Sequence, residues 1–147
     1  MRDSFPVCVN HPGSSKIFIP MVTDPISDLL VRLQNASRVG KERVSLPFSR
    51  MKLTIATILQ REGYVSNVES KDKHALSMSL AYKNSRPAIS GFKRISKPSR
   101  RVYLGVRDVR PVKRGQGLLV LSTPQGVVTG KEARAKRVGG EALFEIW

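Results

Sequence analysis

Apolar residues recur at two different intervals along this chain, and the switch between those intervals, at Gly63, limits its fold more than any other feature. Before Gly63 the interval is helical. Asp24 can cap a helix, Pro25 suits its first position, and Ile26, Leu29, Leu30 and Leu33 recur at offsets that share one helix face. Arg32, Asn35 and Arg38 fall on the opposite side, and Gly40 offers a stop. A second helix is predicted from near Pro47 and Ser49, with Met51, Ile55, Ile58 and Leu59 as its apolar stripe and Gly63 at its end. After Gly63 the interval falls to two, as Tyr64-Val65 and then Leu76, Met78 and Leu80 alternate with polar residues in the manner of half-buried strands.

The second half reads as strand-rich, with candidates at Ala88–Ile95, Val102–Val106, Leu118–Leu121 and Ala142–Trp147. Thr129 and Glu132 have the spacing of a capping box, which announces a short helix through about Arg137. Asn84-Ser85-Arg86-Pro87 combines turn formers with a proline that biases its predecessor to extended geometry, so the domain boundary is placed there. The expected fold class is therefore α+β, built of two small α/β domains. Residues 21–85 form an N-terminal helix-strand unit, and residues 86–147 a strand-rich C-terminal domain with one short helix. Residues 1–20, with Pro6, Pro12, Gly13 and Pro20, show no useful periodicity and read as a flexible extension. Met21 opens the patterned region, so a start at Met21 and a genuine disordered extension stand as equal readings.

Charge narrows the function. Lys and Arg number 26 against 11 Asp and Glu, a formal net charge of +15. Such an excess is best tolerated beside a polyanion, and a nucleic-acid backbone is the commonest one. No apolar run approaches the length of a spanning helix, and Ile17-Phe18-Ile19 is too short for a secretory signal, so neither membrane anchoring nor export is expected. Cys8 is the single cysteine; with His11 and His74 it falls short of a closed zinc site. Gly115-Gln116-Gly117 lacks the context of a dinucleotide fingerprint and reads as a turn. No metal, cofactor, small-molecule substrate or catalytic residue is expected.

The cations are also clustered. Lys93, Arg94, Lys97, Arg100, Arg101, Arg107, Arg110, Lys113 and Arg114 fall between Gly91 and Gly115 with Asp108 as the one acid. RNA is favoured over a solvated strand face for this run. Tyr103 has two equal readings, a ring that stacks on a base or a core residue. Ser122-Thr123-Pro124-Gln125-Gly126 follows an apolar strand, and its small hydroxyls suit close approach to a nucleic-acid groove, although a plain hairpin turn is the simpler reading. Gly139-Gly140-Glu141 has the same two readings, close RNA approach or a bend between helix and strand.

Several strings taken together resemble the bacterial small-subunit ribosomal protein S8 (uS8) family. They are Thr23-Asp24-Pro25-Ile26-Ser27-Asp28-Leu29-Leu30 with Arg32 and Asn35, then Pro47, Ser49 and Lys52, then Glu62-Gly63-Tyr64. Arg94-Ile95-Ser96-Lys97-Pro98 with Arg101-Val102-Tyr103, Gly115-Gln116-Gly117, Ser122 through Thr129, and Glu132-Ala133-Arg134 through Glu141 complete the match over residues 21–147. The resemblance implies a primary place on the central domain of 16S ribosomal RNA, help in assembling the subunit platform, neighbouring small-subunit ribosomal proteins as partners, and a cytoplasmic location in the ribosome. It nominates Ser122, Thr123, Gly126, Gly139, Gly140 and Glu141 as RNA contacts, and the basic run, read by itself, adds Lys97, Arg101 and Tyr103. Thr23, Asp24, Arg32, Asn35 and Lys52 would touch RNA elsewhere. Many relatives carry Ser and a basic residue where this chain has Pro124 and Gln125, and Ser99 replaces a frequent glycine. Two rival readings are a regulatory module that binds messenger RNA and a nucleic-acid-processing enzyme; the second lacks an evident carboxylate cluster or activated nucleophile.

Overall fold

The local signals around Asp24 translate directly into geometry. Its carboxylate accepts from the backbone N–H of Ile26 at 3.2 Å and of Ser27 at 3.3 Å, starting helix α1 at Pro25–Val39. Gly40 ends it at φ +75°, a left-handed conformation that side chains resist. The structure, a computed structural model, describes residues 24–71 and 74–147. The proposed extension at 1–20, Met21, Thr23, Cys8 and His11 lie outside the described residues.

Strand β1 (Arg43–Pro47) comes next, followed by α2 (Arg50–Arg61), β2 (Val65–Lys71) and β3 (Ala75–Leu80). The three strands form an antiparallel sheet in the order β1-β3-β2. Its inward residues, among them Val44, Leu46, Val65, Leu76 and Met78, join Leu29, Leu30, Leu33, Ile55 and Leu59 of the two helices in one apolar cluster. Met51, expected in the stripe of α2, is instead exposed, and Lys52 takes the buried position. A strand at β1 was not anticipated, although Val44 and Leu46 carry its two-residue alternation.

Beyond Leu80, β4 (Tyr82–Lys83) and β5 (Arg86–Pro87) make a hairpin whose central residues, Asn84 at φ +50° and Ser85 at +62°, have the conformation of a primed two-residue turn. The predicted strand at Ala88–Ile95 shortens to β6 (Phe92–Arg94). Likewise Val102–Val106 shortens to β7 (Tyr103–Leu104), followed by a 3-10 turn at Val106–Asp108 and a turn at Val112–Gly115 in which Lys113 and Arg114 are left-handed. Then come β8 (Leu118–Thr123), β9 (Gly126–Thr129), helix α3 (Gly130–Ala135) and β10 (Gly140–Ile146). The second sheet has the order β6-β10-β8-β9, with β7 also paired to β10, and every pairing is antiparallel. The fold class is α+β, as expected.

Strand β8 explains why its sequence reads as an unbroken apolar run. Leu118 and Val120 face the larger cluster, which also receives Phe144 and Ile146. Leu119 and Leu121 face a second cluster with Val109, Val112, Val128, Ala133 and Ala142. A strand buried on both faces has no polar side to show. The capping box forms as predicted: Glu132 N–H donates to the Thr129 hydroxyl at 3.3 Å, and Thr129 N–H donates to the Glu132 carboxylate at 3.1 Å.

Candidate nucleic-acid interface

Strand register assembles the centre of the candidate interface. Residue 141 of β10 sits opposite Tyr103 of β7 and opposite Ser122 of β8. Directly opposed residues in antiparallel strands project to the same face, so Tyr103, Glu141 and Ser122 form one row across three strands. Tyr103 is 70% exposed, which removes its core reading and leaves its ring open to a stacking partner. Arg101 donates to Glu141 at 3.0 and 3.1 Å through Nη1, and the Ser96 hydroxyl donates to the same carboxylate. Arg101 is thus aimed beside the row while its own side chain stays 58% exposed.

The hydroxyl-rich turn divides its labour. Thr123 is buried and its hydroxyl donates to the Gly126 carbonyl at 2.8 Å, closing the β8–β9 hairpin. Pro124, Gln125 and Gly126 form the exposed tip, with Gly126 at φ +120°. Ser122, half-buried, is the hydroxyl that belongs to the row. Glycine at 139 and 140 answers to protein packing. A Cβ at Gly139 would lie 2.7 Å from the Leu104 carbonyl oxygen, and one at Gly140 would press into the Ser122 carbonyl. These two glycines let β10 enter between β7 and β8.

Around this row the basic run is mostly available. Lys97 and Arg100 exchange backbone hydrogen bonds of 2.9 and 3.0 Å, lifting an exposed hairpin tip at Pro98-Ser99. Lys93, Lys97, Arg100, Arg101, Arg107, Arg110, Lys113 and Arg114 are exposed. Arg94 is the exception. It donates to Asp24 at 3.2 and 3.4 Å and to the Leu143 carbonyl, so its charge is spent tying α1 to the second sheet.

The N-terminal candidates lie elsewhere, and two of them carry internal duties. Asp24 is the α1 cap and the partner of Arg94. Lys52 has a side chain only 5% exposed, with its ammonium 3.6 Å from Asp28 and 3.5 Å from the Pro47 carbonyl. A buried ammonium needs such partners. Arg32 also donates to Asp28, at 2.9 Å, and stays half-buried, whereas Asn35 is exposed. Arg32 and Asn35 line a groove between α1 and β1 together with Lys41, Arg43 and Ser45. Lys41 and Arg43 were missed in the sequence; recognising β1 would have placed Arg43 and Ser45 on its outer face. Asp28 stands four residues before Arg32, a helical pairing interval the sequence carried, whereas Ser96, which holds the Glu141 carboxylate from 45 residues away, had no spacing signal of its own.

This surface offers cations, a free aromatic ring and a hydroxyl, the equipment for gripping phosphates, bases and ribose. Among the described residues no group of three or more His, Cys, Asp and Glu could hold a metal, and no helix is long and apolar enough to cross a membrane.

Comparison with known proteins gives a consistent picture. The family model described as Ribosomal protein S8 matches residues 24–147. Small ribosomal subunit protein uS8 of Nitratidesulfovibrio vulgaris is 47% identical over 127 residues, covering 86% of this chain and 100% of that protein. The uS8 of Thermus aquaticus is 46% identical over 138 residues, with 86% and 100% covered. That of Mesoplasma florum is 43% identical over 129 residues, again covering 86% and 100%.

Proposed function

We propose, from the premise that this chain belongs to the ribosomal protein S8 family, that it binds the central domain of 16S ribosomal RNA directly and helps to assemble the platform of the small subunit. The chain is a structural constituent of the small ribosomal subunit and not an enzyme. Its partners are ribosomal RNA and neighbouring ribosomal proteins, and its place is the cytoplasmic ribosome.

The observation that carries the reading is the row Tyr103–Glu141–Ser122 with Arg101 beside it. In this reading the exposed Lys and Arg side chains neutralise phosphates without regard to sequence. Ser122 and the tip at Gly126 approach an irregular helix closely, and Tyr103 stacks on a base or sugar. Gly139, Gly140 and Glu141 act by holding β7, β8 and β10 in register, and Thr123 by closing the turn. Arg32 and Asn35 offer a second contact through the α1–β1 groove, where Lys41 and Arg43 add charge. Lys52 and Asp24 support that contact from within.

The test is discrimination between RNAs. Ser122→Ala removes one shape-dependent contact and leaves the phosphate contacts intact, so affinity for a central-domain RNA fragment should fall more than affinity for a random duplex. Equal losses on both would show that Ser122 serves only the hairpin.

A further inference from the structure

The face of β8 opposite Ser122 carries an apolar cavity that the row Tyr103–Glu141–Ser122 does not use. Leu119 is three residues from Ser122, so strand alternation turns the two side chains to opposite faces of the sheet. On the Leu119 side a cavity of about 210 Å³ opens between the segment Val109–Gly117 and the start of α3. Val109, Val112, Leu119 and Gly130 supply its walls, and Arg110 and Lys131 stand exposed at its rim. Glycine at 130 keeps it open: a Cβ there would lie 3.3 Å from both Leu119 Cβ and Val109 Cγ1. Arg134, the remaining cation at the rim, is anchored to the Val109 carbonyl. Apolar cavities of roughly 150 Å³ accept a benzene-sized guest, so one branched or aromatic side chain fits here.

The chemistry of the lining selects the occupant. None of the lining side chains is aromatic, hydroxyl-bearing or an amide, and the guanidinium groups stand at the rim, so the interior of the cavity has nothing to stack on a base or to read its edge. Its aliphatic walls suit an aliphatic or aromatic protein side chain, and its rim of cations without a lining carboxylate suits a segment that carries Asp or Glu. A second copy of this chain is a poor partner, since each copy brings a net charge of +15. We infer that this cavity is a docking site for a neighbouring protein, which inserts one apolar side chain from an acidic segment while RNA is held at the Ser122 end of β8. The inference rests on the proposed place in the small subunit and names the chemistry of one protein neighbour there.

The experiment uses the full chain in its assembly. Pro111 lies exposed at the cavity mouth and can be replaced by a photo-crosslinker, Pro111→benzoylphenylalanine. The labelled protein is incorporated into small subunits, which are isolated by sedimentation, irradiated and analysed by mass spectrometry. The expected product is a crosslink to one protein segment with an apolar residue flanked by Asp or Glu. Adding Lys131→Glu should lower its yield by about threefold, as loss of one exposed ion pair would, and raising salt should act the same way. Subunits that contain the labelled protein but yield crosslinks to RNA alone, to a segment without carboxylates, or to nothing would overturn the docking site and leave the proposed function standing. Failure of the protein to enter subunits, with and without the label, would overturn both.

Discussion

At the scale of single residues, Glu141 organises the candidate interface by holding its neighbours. The Ser96 hydroxyl is fully buried, donating to Glu141 and accepting from Val102 N–H at 3.4 Å. Glu141→Ala would leave that hydroxyl without an acceptor, at a cost of about 1–3 kcal/mol. Loss of the Arg101 pair adds less, because Arg101 is mostly exposed and its pair is screened by water. Urea unfolding checks this, and Glu141→Gln, which keeps an acceptor oxygen for Ser96, should recover most of the loss. If Glu141→Ala unfolds at the same urea concentration as the parent, the carboxylate has no structural duty. The sequence offered Glu141 only as the end of the Gly139-Gly140 motif and through the resemblance, because its partners stand 40 and 45 residues away and no local spacing marks them. Tyr103 was equally illegible: a two-residue strand is too short for alternation to tell its exposed side from its buried one. For Gly139 and Gly140 the sequence showed that a side chain was unwelcome, while only the structure shows that the excluding groups are the protein's own carbonyls.

Elements were legible wherever their signals were local. Both long helices, the capping box of α3 and the alternation of β3 follow from residues within a few positions of one another. By contrast β9 exists because it pairs with β8, and regular pairing with β10 stops at Arg94 in β6 and begins at Tyr103 in β7, although Ile95, Ser96 and Val102 still make single backbone hydrogen bonds to it. Such limits are set by tertiary neighbours. Met51 was misplaced because the stripe of α2 includes the aliphatic stem of Lys52, whose charge is satisfied by Asp28. The capping box makes its own prediction. Thr129→Ala should destabilise the protein by about 1 kcal/mol. The Glu132 carboxyl is held below its usual range chiefly by the Thr129 N–H and further by Arg61, whose guanidinium lies 2.8 Å away, against an opposing effect of burial. A lowered folded-state value means stabilisation that is present above the ordinary carboxylate range and lost as pH falls through the lowered value. The stability difference between the parent and Glu132→Gln, measured by urea unfolding, should therefore shrink on acidification. A difference that persists in acid would assign the effect to packing and not to charge.

For the whole molecule the governing quantity is charge, and the fold decides which cations are free to spend it. With about six phosphates neutralised, affinity for a ribosomal RNA fragment should fall by ~10³-fold between 50 and 200 mM salt on duplex-DNA scaling. The sequence treats the nine cations of the basic run alike; the structure separates them. Lys97 and Arg100 stand on the exposed hairpin, so Lys97→Ala and Arg100→Ala should each reduce the slope of log affinity against log salt by about one, with stability unchanged. Arg94→Ala should do the reverse. It removes the tie between α1 and the second sheet, leaving Asp24 only its bonds to the first N–H groups of α1 and the Leu143 carbonyl only the Ile95 N–H, so the unfolding midpoint should drop while the salt slope of the folded protein holds. Titrations of the three variants across a salt series, beside their urea midpoints, distinguish these outcomes. A slope that falls for Arg94→Ala as much as for Lys97→Ala would mean that the basic run acts as a diffuse field, and that the division between structural and RNA-facing cations is wrong.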